Sequence, residues 1–166
     1  MNDEDKYCFA PVFSRDAAVL ILGSLPGEMS LARQEYYAHP QNQFWRLMGA
    51  VIARPLADRL YPDRLKELQQ ARVALWDVIA RARRSGSLDQ QMRDIHPNAL
   101  GDLIADLPQL RLVAFNGQKA AIIGRKFVPP GIDHVILPST SPAHTLAFEA
   151  KLERWLALRP FIHFSR

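Results

Sequence analysis

Four short apolar runs constrain the fold of this 166-residue chain more than any other feature: AVLILGS (18–24), VALWDV (73–78), LVAFNG (112–117) and HVILPST (134–140). They are rich in aliphatic and β-branched residues and do not alternate apolar with polar side chains. Such runs suit strands covered on both faces, the situation in a parallel sheet. Helical signals lie between them. FWRLMGAVIA (44–53) sets Phe44, Leu47, Met48, Val51 and Ile52 on one stripe, and Asn98 is positioned to cap ALGDLIADL. QKAAIIGRKF follows the third run, and AFEAKLERWLAL (147–158) closes the chain. Alternating strands and helices predict an α/β protein, a three-layer α/β/α sandwich around a short, mainly parallel four-stranded sheet. No repeat, linker or low-complexity stretch interrupts it, so residues 1–166 read as a single domain with 1–8 a loosely ordered terminus.

In an open parallel sheet the carboxyl ends of the strands share one edge, and ligands bind there. The four runs end at Gly23-Ser24-Leu25-Pro26-Gly27, Trp76-Asp77, Asn116-Gly117 and Pro138-Ser139-Thr140-Ser141-Pro142. These punctuations should therefore meet, together with the ring- and amide-rich loop YYAHPQNQFW (36–45). Each piece has a plain alternative. The 23–27 stretch is a tight turn, or its amides and the Ser24 hydroxyl hold a phosphate or a water. Asn42 caps the helix that follows, or serves a ligand. Asn116 turns the chain, or reads the edge of a flat heterocycle. Phe44 packs in the core, or offers a stacking face worth ~1–3 kcal/mol to a base. The hydroxyls of 139–141 suit phosphate contacts, and His144, Thr145 and Leu146 form a wedge or begin the last helix.

Charge narrows the partners only mildly: 21 Lys and Arg against 17 Asp and Glu give a formal +4, which favours polyanions. No apolar run approaches the roughly 20 residues that span a bilayer, and the start, MNDEDKYCF, is too polar for a secretory signal. A cytoplasmic protein with no membrane association is expected. The lone Cys8 excludes an internal disulfide, and His39, His96, His134, His144 and His163 lack zinc-site spacing. No metal and no cofactor are expected.

Taken together, Gly23–Gly27, Tyr36–Trp45, Leu75-Trp76-Asp77-Val78, Arg84–Asp89, Phe115-Asn116-Gly117 and Leu137–Ala143 resemble, in order, the uracil-DNA glycosylase superfamily. The chain is most similar to the hypoxanthine (deoxyinosine) branch, over nearly its whole length from about Phe9. Mismatch-specific uracil/thymine glycosylases carry a catalytic asparagine where this chain has Leu25. The hypoxanthine branch lacks it too and uses the asparagine of an H-P-x-N-x-F-W loop, here Asn42. The resemblance thus implies Asn42 as the catalytic residue, with Ser24 and His39 in support. It implies base contacts from Phe44, Asn116, Tyr37 and Leu25. DNA backbone and insertion contacts would come from Pro26, Gly27, Ser139, Thr140, Ser141, Pro142, Ala143 and His144. The implied partner is DNA containing a deaminated base, met by a monomer. Uracil and hypoxanthine each present a carbonyl beside a ring N–H, so uracil or mixed uracil/xanthine specificity is the alternative. A catalytically silent DNA-binding domain of the same fold is the alternative from another class.

Overall fold

The computed structural model describes residues 4–164. Its elements run β1 (Glu4–Tyr7), β2 (Val19–Gly23), α1 (Glu28–Arg33), α2 (Phe44–Val51), α3 (Tyr61–Gln70), β3 (Val73–Asp77), β4 (Ile79–Arg84), β5 (Arg93–Pro97), α4 (Leu100–Ala105), β6 (Leu112–Asn116), α5 (Gln118–Gly124), β7 (Asp133–Leu137) and α6 (Phe148–Trp155). Strands β3-β2-β6-β7 form the expected parallel sheet. Its register aligns the carboxyl ends: Gly23 pairs with Asp77, and Asn116 with Leu137.

Alternate strand residues serve opposite faces. Val19 and Ile21 of β2, with Leu75 and Ala114, pack against Phe44, Leu47, Met48 and Trp155. Leu20, Leu22, Val113 and Phe115 pack instead against Leu100, Leu103, Ile104 and Ala121. Both faces are therefore dry, which is why these strands are continuous apolar runs. Among the described residues no helix is long and apolar enough to cross a membrane.

Three features depart from expectation. A second, antiparallel sheet, β1-β4-β5, lies beside the first. Its middle strand, IARARR, buries Ile79, Ala82 and Arg84 while Arg83 stays exposed. Only Ala82–Arg84 alternates as a one-sided sheet does. The register of β4 against β5 shifts between Ile79 and Arg83, and this break, with the arginines, hides the strand in the sequence. The terminus expected to be loose from 1 to 8 is β1 from residue 4 onward, paired with Arg81–Arg84; residues 1–3 lie outside the described residues. Asn98 does not cap α4. Its Nδ2 donates to Asp77 O (2.8 Å) and lies 3.3 Å from Cys8 Sγ, tying the two sheets together where β3 ends.

Candidate active site

At the carboxyl ends of β2, β3 and β6 opens a cavity of about 580 Å³, within the range of small-molecule sites. Ser24, Leu25, Pro26, Gly27, Tyr37, His39, Asn42, Asn116, Ser139, Thr140, Ser141, Pro142, Ala143 and His144 all border it. So do Gly23 and Asp77, strand ends expected to meet there, and Ser87 and Asp89 of the 84–89 motif. The sequence assigned none of them a catalytic or base-binding part, and Ser30, also at the rim, gave no signal. The convergence expected of a parallel sheet brings segments more than a hundred residues apart to one rim.

Phe44 is the exception. It is fully buried and does not reach the cavity wall. Its ring lies under Tyr37, with centroids 4.0 Å apart and planes at 23°. Trp45 and Trp155 meet it edge-on. The reason is the stripe on α2: Phe44 shares it with Leu47, Met48 and Val51, and that stripe faces the sheet. Tyr37, stacked on Phe44, borders the cavity in its place, beside Tyr36. Its backbone is left-handed (φ 55°), a conformation L-residues rarely adopt. The surrounding loop holds it there: Tyr36 N donates to Tyr61 Oη (3.0 Å), Tyr36 Oη to Ala10 O (3.0 Å) and Trp45 Nε1 to Tyr36 O (3.0 Å).

Both asparagines are partly occupied. Asn42 Oδ1 accepts from Phe44 N (3.0 Å) at the start of α2, while its Nδ2 meets no protein acceptor among the described residues. Asn42 precedes the N-cap, Gln43, and this local turn leading into α2 is compatible with lining the cavity. Asn116 is clamped at both ends: Nδ2 donates to Thr140 Oγ1 and Oδ1 accepts from Thr140 N, each 3.0 Å. Thr140 O in turn accepts from Gln43 N (3.0 Å), so one threonine joins β6, the 138–144 loop and α2. Thr140→Val, nearly isosteric, leaves Asn116 Nδ2 short of an acceptor and is expected to cost ~1–3 kcal/mol in chemical denaturation.

The 139–144 loop is built from small turns. Ser139 Oγ accepts from Ser141 N and Ser141 Oγ from Ala143 N, both at 3.2 Å. Beneath it, buried Lys151 of α6 donates from Nζ to His144 O (2.8 Å) and Ser141 O (3.5 Å). The loop tip, Pro142–Leu146, is exposed. His39 stands at the rim, exposed, with Nδ1 accepting from Gln41 N (3.1 Å).

A cluster of charge lies on the other side. Ser24 Oγ sits 2.8 and 2.9 Å from the two oxygens of Asp89. Fully buried Arg84 donates from Nε to Gly86 O (2.7 Å) and from Nη2 to Pro26 O, bracing the 23–27 turn against the 85–89 loop. Ser87 Oγ accepts from Glu28 N (2.9 Å) at the start of α1. Burial raises the Asp89 carboxyl, although the Ser24 hydroxyl opposes this. Asp77, 4% exposed, is pushed up to about 7, chiefly by burial and next by the charge of Asp89, with Arg84 pulling the other way. Burial and then Asp77 hold the Tyr37 phenol above its ordinary value, so it stays an O–H donor. Asp77 was visible in the sequence as a strand-end acid, but nothing local told that it would be buried. Among the described residues no group of three or more His, Cys, Asp or Glu is placed to hold a metal ion.

The profile of the uracil DNA glycosylase superfamily matches residues 10–161. The chain belongs to that superfamily. Within it, the chain is 36% identical over 150 residues to a protein named hypoxanthine DNA glycosylase from Methanosarcina barkeri. It is 37% identical over the same length to one of that name from Methanosarcina acetivorans. Each alignment covers 90% of this chain and 95% of the relative. A solution NMR structure of a protein described as a candidate uracil DNA glycosylase from Methanosarcina acetivorans superposes with a TM-score of 0.86 at 36% identity, covering 95% of this chain and 99% of the other. The superfamily and its α/β fold, expected from the motifs, are both borne out.

Proposed function

We propose that this superfamily member is a monofunctional DNA glycosylase that hydrolyses the N-glycosidic bond of a flipped deaminated base, foremost hypoxanthine. The observation that carries the reading is one cavity at the sheet edge bordered by the Asn42 carboxamide, the Tyr37 ring and the Thr140-clamped Asn116. The two relatives named for hypoxanthine excision support that choice of base.

A base inside a duplex cannot reach this cavity, so the nucleotide swings out, at a cost of a few kcal/mol that is least in a weak pair. Deoxyinosine sits in such a pair. The exposed 142–146 tip is the segment suited to occupying the gap left in the stack. Ser139 and Ser141 suit contacts with the backbone. As the bond breaks, the sugar gains positive charge and the base leaves as an anion. A carboxamide is a poor base but a good positioner, so Asn42 serves by holding the attacking water or steadying the sugar cation. Leu25, apolar and only 7% exposed, can do neither and forms part of the apolar wall.

Lys151→Met removes the donor that holds the insertion loop. It is expected to weaken binding of deoxyinosine DNA about tenfold, a ~1.4 kcal/mol effect, with a smaller change in single-turnover rate at saturation. Titrations by fluorescence anisotropy beside single-turnover assays check it.

The experiment for the function is a panel of matched oligonucleotides carrying deoxyinosine, deoxyuridine or deoxyxanthosine, incubated with the protein and then treated with alkali. Strand breaks at deoxyinosine are expected. Breaks at deoxyuridine alone would move the assignment to uracil. DNA binding without breaks on any substrate would make the chain a silent binding domain.

A further inference from the structure

Asp77 and Tyr37 border the cavity, and each has one buried polar atom with no hydrogen-bond partner among the described residues, Asp77 Oδ2 and Tyr37 Oη. Buried groups left in this condition are costly and point to a partner that arrives from outside. Gly23 keeps the space between the Asp77 carboxyl and the Tyr37 hydroxyl open. A Cβ at that position would lie 2.6 Å from Asp77 Oδ1 and 2.7 Å from Tyr37 Oη, so any other residue would fill the point on which the two oxygens converge. No structural duty consumes the Asp77 carboxyl. Arg84 Nε goes to Gly86 O and Nη2 to Pro26 O, its Nη1 is buried without a hydrogen-bond partner among the described residues, and the Ser24 hydroxyl goes to Asp89. Asn116, expected to read the base, gives one N–H and one oxygen lone pair to Thr140 and also interacts with the Tyr37 hydroxyl.

Building on the functional reading above, we propose that Asp77 is a further catalytic residue, donating its carboxyl proton as a hydrogen bond to the carbonyl oxygen of the departing base while its other oxygen accepts from the neighbouring ring N–H. The Tyr37 hydroxyl is the second donor at this edge. In the reaction, the oxygen of water bonds to C1′ of the sugar and the electrons of the C1′–N bond leave with the base. The proton lost by water goes to solvent, and the base anion takes one up from solvent after release. Asp77 keeps its proton throughout and is not consumed. A neutral acid here stabilises the growing negative charge, as donors aimed at a developing anion do. A carboxylate would oppose it.

The groups around Asp77 fit this role. Asp89 from the 85–91 loop disfavours its ionisation, and Arg84 of β4 favours it. Tyr36 and Tyr37 of the 36–45 loop and Cys8, next to β1, are neutral near pH 7 because each is pushed above its ordinary value. With the carboxyl pushed up to about 7, the acid is the main form below that pH and the carboxylate above it. Base release therefore falls as pH rises through about 7.

The test is the single-turnover rate of hypoxanthine release from pH 5.5 to 9 for the wild type and Asp77→Asn. An amide keeps a donor and an acceptor but does not titrate. The wild type is expected to lose about tenfold per unit above pH 7, as an enzyme needing one protonated group does. Asp77→Asn is expected to be slower at pH 6 and flat across the range. Asp77→Leu, which has neither, is expected to be at least 100-fold slower than the wild type at pH 6, with DNA binding by anisotropy reporting that it folds. A wild-type profile without the decline, or the same decline in Asp77→Asn, overturns this assignment while leaving the glycosylase reading intact. No release by the wild type at any pH overturns that reading and this assignment with it.

Discussion

Asn42→Ala is expected to slow single-turnover base release by about 10²–10³-fold, the size of effect seen when one preorganised polar group is removed from an active site. Affinity for deoxyinosine DNA should stay close to that of the wild type, because phosphate contacts dominate binding and Asn42 is not among the loop residues suited to them. The variant also removes the oxygen that accepts from Phe44 N at the start of α2. That loss should cost ~1 kcal/mol of stability. Asn42→Ser separates the two effects. A serine hydroxyl can accept from the helix amide but cannot extend a carboxamide into the cavity. Near-normal melting with lost base release is the expected pairing. Full activity in Asn42→Ser would reduce Asn42 to a residue of the turn into α2.

Phe44→Ala is expected to destabilise the protein by ~3–5 kcal/mol, the usual range for emptying a large buried aromatic site. The ring is fully buried and touches Tyr37, Trp45 and Trp155 at once. Its deletion opens a hole under the ring that borders the cavity. Loss of activity should therefore track loss of folded protein and of Tyr37 placement. Phe44→Leu keeps most of the volume and should cost much less. Chemical denaturation beside anisotropy distinguishes this from a stacking role: a base-stacking Phe44 would lose affinity for flipped-base DNA at nearly unchanged stability.

The contrast between Phe44 and Tyr37 marks the boundary of what the chain discloses before folding. Periodicity puts Phe44 on a helix stripe with Leu47, Met48 and Val51, and that stripe had to be core. It says nothing of a loop residue in a left-handed conformation, and Tyr37 came to border the cavity through tertiary contacts of Tyr36 and Trp45. The parallel sheet was legible because burial on both faces leaves unbroken apolar runs. Its topology then carried Asn42, Asn116 and the 139–144 loop to one rim. The antiparallel sheet was not legible. Arg81, Arg83 and Arg84 look solvated in sequence, yet Arg84 is buried with Nε turned to Gly86 O and Nη2 to Pro26 O. Asp77 was hidden for a related reason. An acid at a strand end is ordinary, and only the packing of Gly23, Tyr37 and Asp89 around it makes a buried, unpaired carboxyl.

The central claim is release of an intact base from DNA by hydrolysis, and the most direct measurement is the free base itself. The protein is incubated with a deoxyinosine duplex, and the small-molecule fraction is quantified by mass spectrometry alongside the uncleaved strand. The account predicts one free hypoxanthine per abasic site formed, with the strand intact until alkali is added and the yield collapsing in Asn42→Ala. Absence of free hypoxanthine at stoichiometric enzyme, with the duplex demonstrably bound, would contradict it.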